Sequence, residues 1–228
     1  MRPMREWLGL PNRLKLLRQK GPRILDKIQK AKGPMAFLDE SFLSPAQGPD
    51  SFYLLVAVVL EKSEVIRFRN QIRESVSSDR WHTTEAARTD VGRQKIRELA
   101  HLIAQSASCV VAVIDEIDEH DKTGELARTK LTRALLEELA SNHVYATGAV
   151  IYEKRTPGAM RSRDELVLNQ LSKSDSVASK LAIWGISTKS EPLLWAPDVL
   201  AWSYRQAYFE KDASFFQDLE KVTTLIKP

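Results

Sequence analysis

Apolar residues occur along this chain in two textures: short unbroken runs, and longer stretches where they return every third or fourth position. MAFLD (35–39) is the first short run, and FYLLVAVVL (52–60) is a longer one. Residues 41–51 between them are rich in Ser, Pro and Gly, so the two runs predict an antiparallel hairpin. Residues 63–77 carry Val65, Ile66, Ile72 and Val76 among Arg and Glu, which predicts a helix. RWHTT (80–84) reads as a brief extended piece. A long helix is expected over 85–107, where Ile96, Leu99, Ile103 and Ala107 recur at helical spacing. SCVVAVID (108–115) is apolar without interruption, as in a strand covered on both faces. A helix over 124–141, a strand over 143–153, a helix over 162–173, a strand over 180–187 and a helix over 197–208 follow. The tail, 212–228, has room for a short helix.

Two paired strands, then helices alternating with strands, imply an α/β domain with a mixed sheet flanked by helices. Residues 1–34 stand apart as an extension. Asn12 precedes RLKLLRQK as a helix cap would, Gly21-Pro22 interrupts, and RILDKIQKAK resumes with Ile24, Leu25 and Ile28 on one side before Gly33-Pro34. The expected organisation is a basic helical extension over 1–34 and one domain over 35–228.

Charge sharpens that division. The net +4 conceals ten Lys and Arg against two acids in residues 1–34, so the extension carries +8 and the remainder −4. A segment of that kind suits a polyanion, because each neutralised phosphate releases condensed counterions. RNA or DNA is the expected partner of 1–34, with Trp7 able to stack on a base. The alternatives are a solvated helical face, or an amphipathic face that docks a protein or a membrane surface. No apolar run approaches the roughly 20 residues of a membrane span, and MRPMREWLGLPNR lacks a secretory pattern. Cys109 is the single cysteine, so no internal disulfide can form, and its apolar setting suggests an inert thiol. A cytoplasmic location is the simplest expectation. The four histidines are scattered, which leaves no zinc set. Walker, GxGxxG and GxSxG patterns are absent, which argues against nucleotide-triphosphate, nicotinamide and serine-hydrolase chemistry.

The candidate chemistry lies in acids at the ends of elements. Asp39 closes the first apolar run and Glu40 follows it; Asp115 closes CVVAVID; Glu85 opens the long helix; Asp198 opens a late helix after Pro197. Were the strands of Asp39 and Asp115 parallel neighbours, their carboxyl ends would lie together at the edge where α/β sheets bind ligands. Mg²⁺ or Mn²⁺ prefers oxygen donors, and two such ions can stabilise the attacking and departing oxygens of a phosphoryl displacement. The ordinary roles compete: an acid in a helix's first turn favours its dipole, and IDEIDEHD can be a solvated loop. His82 could shuttle a proton or contact phosphate, though a lone histidine more often packs.

MAFLDES with the following FYLLVAVVL, then WHTTEAA, then ISTKSEPLLWAPDVLAWSY resemble a large bacterial family designated domain of unknown function 3800. The resemblance spans Met35 to Tyr208 and implies a ribonuclease H-like fold with an acidic metal site. It matches Asp39 to a first-strand aspartate, Asp115 to a fourth-strand aspartate, Asp198 to a late-helix aspartate and Glu85 to a glutamate on the first core helix. Those four are the expected metal ligands, with Glu40 and His82 as further candidate catalytic residues. Phe42 stands where the family usually has Gly, which would alter a turn after Asp39, and Pro197 would delay the late helix. The implied function is a divalent-metal-dependent nuclease, of the kind used as a toxin or mobile-element defence protein, with a possible antitoxin-like partner. The alternative is an inactive ribonuclease H-like binding module.

Overall fold

The computed structural model describes residues 22–47, 50–155, 157–174, 176–186 and 191–228. The chain divides into two compact units, residues 1–30 and 31–228. In the first, the described part is one helix, α1 (Pro22–Lys30), with Lys27 and Lys30 in its last turn. Residues 1–21, with Trp7 and the helix expected after Asn12, lie outside the described residues.

The second unit is an α/β domain built on a six-stranded mixed sheet in the order β5-β4-β1-β2-β3-β6. Its strands are β1 (Met35–Leu43), β2 (Phe52–Leu60), β3 (Ser108–Ile114), β4 (Ala149–Glu153), β5 (Ala182–Ile186) and β6 (Thr223–Ile226). Its helices are α2 (Val65–Val76), α3 (Thr83–Ala86), α4 (Asp90–Ser106), α5 (Glu125–Ser141), α6 (Ala159–Ser172), α7 (Trp195–Tyr208) and α8 (Gln217–Glu220). β2 runs against both its neighbours, while β1–β4, β4–β5 and β3–β6 pair in parallel.

Strand parity sorts the core into two layers. Ala36 and Leu38 of β1, Leu55 and Ala57 of β2, and Val110 and Ala112 of β3 pack against Leu131, Leu135 and Leu139 of α5. Alternate residues such as Phe37 and Asp39 point to the other face, where α7 lies against β1 and β2. β2 is buried at every position, as an unbroken apolar run requires. β1 is buried only through Leu38 and half-buried from Asp39 onward, so its second half borders the candidate site. Among the described residues no helix is long and apolar enough to cross a membrane.

Several elements depart from the sequence expectation. β1 continues past Asp39 to Leu43, and Phe42 lies within the strand against the Tyr53 ring, centroids 5.1 Å apart, with no turn there. The helix expected over 85–107 is two helices. Thr89 caps α4 by accepting the Gly92 N–H at 3.0 Å, and Gly92 lets the Ala86 carbonyl of α3 approach so closely that a Cβ would sit 1.9 Å from its oxygen. β4 begins only at Ala149, after a turn in which Ala146 has positive φ. α7 begins at Trp195, with Pro197 in its first turn, where a missing N–H costs no helical bond. Where the sequence predicts only a tail with a short helix, the structure adds β6, whose four residues beside β3 carry too little periodicity to announce a strand.

Candidate functional site

A cavity of about 280 Å³ lies where the ends of β1 and β4 meet α7 and the segment before α3. Asp39, Trp81, His82, Glu153, Asp198 and Trp202 are among its lining residues. The pairing of β1 with β4 explains two of the acids. Leu38 is level with Tyr152, so the next step places Asp39 beside Glu153, the last residue of β4. Residues level with one another in a sheet share a face, so both carboxylates project toward α7. Asp198 arrives from the first turn of α7.

Asp198 is the most firmly held of the three. Its Oδ2 accepts the Thr83 backbone N–H and the Thr83 hydroxyl, each at 2.9 Å. The Trp81 indole Nε1 donates in turn to Thr83 Oγ1 at 2.9 Å. Both Thr83 bonds fall on Oδ2, so Oδ1 has no hydrogen-bond partner among the described residues. Burial raises the Asp198 pKa above the ordinary carboxylate value, opposed by the two Thr83 donations and the nearby His82. His82 is exposed and has extended backbone; its carbonyl accepts the N–H groups of Glu85 and Ala86, at 3.1 and 3.0 Å, and so opens α3. Behind α7, Arg69 of α2 forks onto Glu191, Nε to Oε1 at 2.7 Å and NH2 to Oε2 at 3.2 Å. Glu191 also accepts the Leu193 N–H at 3.3 Å, which fixes the turn that launches α7.

Of the residues expected from sequence, Asp39, Glu40, His82 and Asp198 therefore line one cavity. Glu85 does not line it and is exposed on α3. Asp115 does not line it either; its carboxylate accepts a hydrogen bond from Lys227. The condition on which Asp115 would join Asp39, that their strands be parallel neighbours, is not met, because β2 separates β1 from β3. Ile114 pairs with Tyr53 and Tyr53 with Phe42, which puts Asp115 level with Leu43. From Asp39 that is about 13 Å along the strand and about 10 Å across two strand spacings. Glu153 was missed, although AVIYE repeats the signal of MAFLD, an acid closing an apolar strand.

Glu40 also borders this cavity. Following Asp39 on a strand, its side chain turns to the opposite face, and its carboxylate is ion-paired with Arg128 and accepts the Tyr53 hydroxyl at 2.7 Å. Arg128 forks onto Asp164 at 2.9 and 3.1 Å, and Arg155 donates to Glu125 at 2.6 Å. Burial pushes the Tyr53 hydroxyl well above its usual pKa, so it stays protonated within this network. The network borders a second cavity, of about 700 Å³, with an apolar floor that includes Leu55, Val150 and Ile183. Elsewhere, Cys109 is fully buried and its thiol is pushed up to about 12 by that burial, which fits the inert role expected of it.

The acids of the smaller cavity are hard oxygen donors, the type that Mg²⁺ and Mn²⁺ select. Their chemistry fits such an ion. Among the described residues, however, no three His, Cys, Asp or Glu side chains are already grouped to hold one. No protein-family model matches the chain and no curated protein matches it, so the family resemblance rests on the motifs quoted above.

Proposed function

We propose that the chain is a divalent-metal-dependent nuclease that hydrolyses phosphodiester bonds of RNA or DNA on a ribonuclease H-like sheet. The observation that carries this reading is that Asp39, Glu153 and Asp198, from three separate elements, all line one cavity. The strand order, three consecutive strands around an antiparallel β2 with β4 and β5 in parallel beyond β1, fits the mixed sheet that the resemblance implies.

Asp39, Glu153 and Asp198 would hold the ion, which supplies positive charge against the phosphate and acidifies a water for attack. The chain's own residues prepare that site. Asp39 and Glu153 stand level with one another on neighbouring strands. Thr83 binds one oxygen of Asp198 and orients the other. His82, exposed at the rim, can carry a proton to the leaving oxygen. The basic segment 1–34 would hold the substrate backbone.

Cleavage of end-labelled RNA and DNA with Mg²⁺ or Mn²⁺ tests the proposal. Asp39→Ala is expected to lose at least about a hundredfold in rate, the scale on which one essential electrostatic group acts. Equal cleavage by Asp39→Ala and the parent would sink it. Among the described residues no three donors are already grouped, and the second reading is a ribonuclease H-like binding module without catalysis. Calorimetric titration with Mn²⁺ separates the two: no binding up to millimolar ion selects the module.

A further inference from the structure

We infer that the acidic cavity takes an unpaired nucleotide, so that its substrate class is single-stranded nucleic acid, with a base stacked on Trp202. The inference rests on the phosphate-handling reading of the cavity. Three of the chain's five tryptophans, Trp81, Trp195 and Trp202, line this cavity together with the acids. Trp195 is buried, whereas Trp81 and Trp202 are only half-buried. Helix periodicity accounts for the alignment. Trp195, Asp198, Trp202 and Arg205 follow at intervals of three, four and three along α7, which puts them on one stripe of the helix. All four line the cavity, as does the small Ala201 beside Trp202.

The aromatic rings are held rather than loose. Trp202 packs edge-on against Phe215, centroids 4.9 Å apart at 77°, and the Arg97 guanidinium covers Phe215 at 4.7 Å. Trp81 is tied through its indole N–H to Thr83, the residue that also holds Asp198. A fixed indole one helical turn, about 5.4 Å, from a carboxylate is a stacking platform beside a phosphate site. Arg205, a further turn on, pairs with Glu210 at 3.0 Å on the surface. Such exposed pairs are weak and exchange readily for a phosphate oxygen. A cavity of about 280 Å³ admits one base with its phosphate but not a base pair still stacked in a duplex. Every base has a π-face, so this platform selects unpaired strands without selecting sequence.

The test is fluorescence anisotropy of the full chain with a labelled decathymidylate, a labelled decauridylate and a blunt ten-base-pair duplex, in buffer containing Ca²⁺. Both single strands are expected to bind at least about tenfold more tightly than the duplex. Trp202→Ala should weaken single-strand binding about tenfold, and Trp202→Phe should restore most of it. Melting curves confirm that both variants are folded, and the phenylalanine variant keeps the test decisive should alanine unfold the helix. Equal binding of duplex, binding unchanged by Trp202→Ala, or no binding of any probe overturns the inference. Single-strand binding that depends on Trp202 without cleavage in Mg²⁺ or Mn²⁺ would defeat the nuclease proposal and leave this one standing.

Discussion

Arg69→Met is the perturbation whose consequence the structure specifies most closely. The Arg69 and Glu191 side chains are 20% and 5% exposed, and two hydrogen bonds join them. Removing the arginine leaves a carboxylate shut away from water with the Leu193 N–H as its remaining donor among the described residues. Breaking a buried pair in this way costs about 3–5 kcal/mol. Arg69 is a fifth exposed, so water can partly replace it, and the expected loss is near the lower end, about 3 kcal/mol. For a domain of this size each kcal/mol moves the melting temperature by about 2–4 °C, so a fall of about 6–12 °C is expected.

The double variant Arg69→Met/Glu191→Leu removes the orphaned charge as well. Replacing both members of a buried pair by apolar residues is often neutral, so its stability should return to within about 1 kcal/mol of the parent. Urea unfolding of all four proteins, followed by fluorescence and by circular dichroism to check two-state behaviour, gives the coupling energy of the cycle. A loss below about 1 kcal/mol for Arg69→Met, or a double variant as unstable as the two single losses added together, would refute the reasoning. The pair would then be a surface contact in effect, and the turn that launches α7 would be held by other means.

Two further outcomes follow from the same geometry. Burial raises the Asp198 pKa above the ordinary 3.8, so the folded state favours the protonated acid and loses stability as pH rises through that value and the higher folded one. Asp198→Asn keeps an acceptor for both Thr83 donors; it should match the parent below about pH 3 and melt higher near neutral pH in metal-free buffer, and a difference constant with pH would contradict this. Gly92→Ala places a methyl 1.9 Å from the Ala86 carbonyl oxygen, so α3 must shift. A loss of about 2–3 kcal/mol in urea is expected, with faster amide exchange over 82–87, and an unchanged midpoint would show that the two helices separate freely.

How far the sequence disclosed this fold depended on what each element asks of its residues. FYLLVAVVL announced β2 because a central strand covered on both faces has to be apolar throughout. The division between α3 and α4 was invisible because helical spacing continues across it; the break lies in Thr89 turning to cap and in Gly92 yielding to a backbone carbonyl. β6 borrows its pairing from β3 and contributes four residues, two of them threonine, so it has no periodicity of its own to read. Elements specified by their own burial were legible, and those specified by a neighbour were not.

The acids follow the same rule more sharply. Asp39, Glu40, Asp115 and Glu153 all stand at or near the end of an apolar strand, and nothing local tells them apart. Parity separates the side chains of the first two: both residues border the small cavity, but consecutive side chains face opposite sides, so the Glu40 carboxylate joins Arg128 and Tyr53. Strand order separates the other two. β4 lies against β1 and brings Glu153 level with Asp39, whereas β3 lies beyond β2 and carries Asp115 away to Lys227. Strand pairing is a long-range property that an amphipathic pattern does not encode. An acid's place in the chain therefore shows only that it can reach the sheet's edge, and which acids meet there is decided by which strands become neighbours.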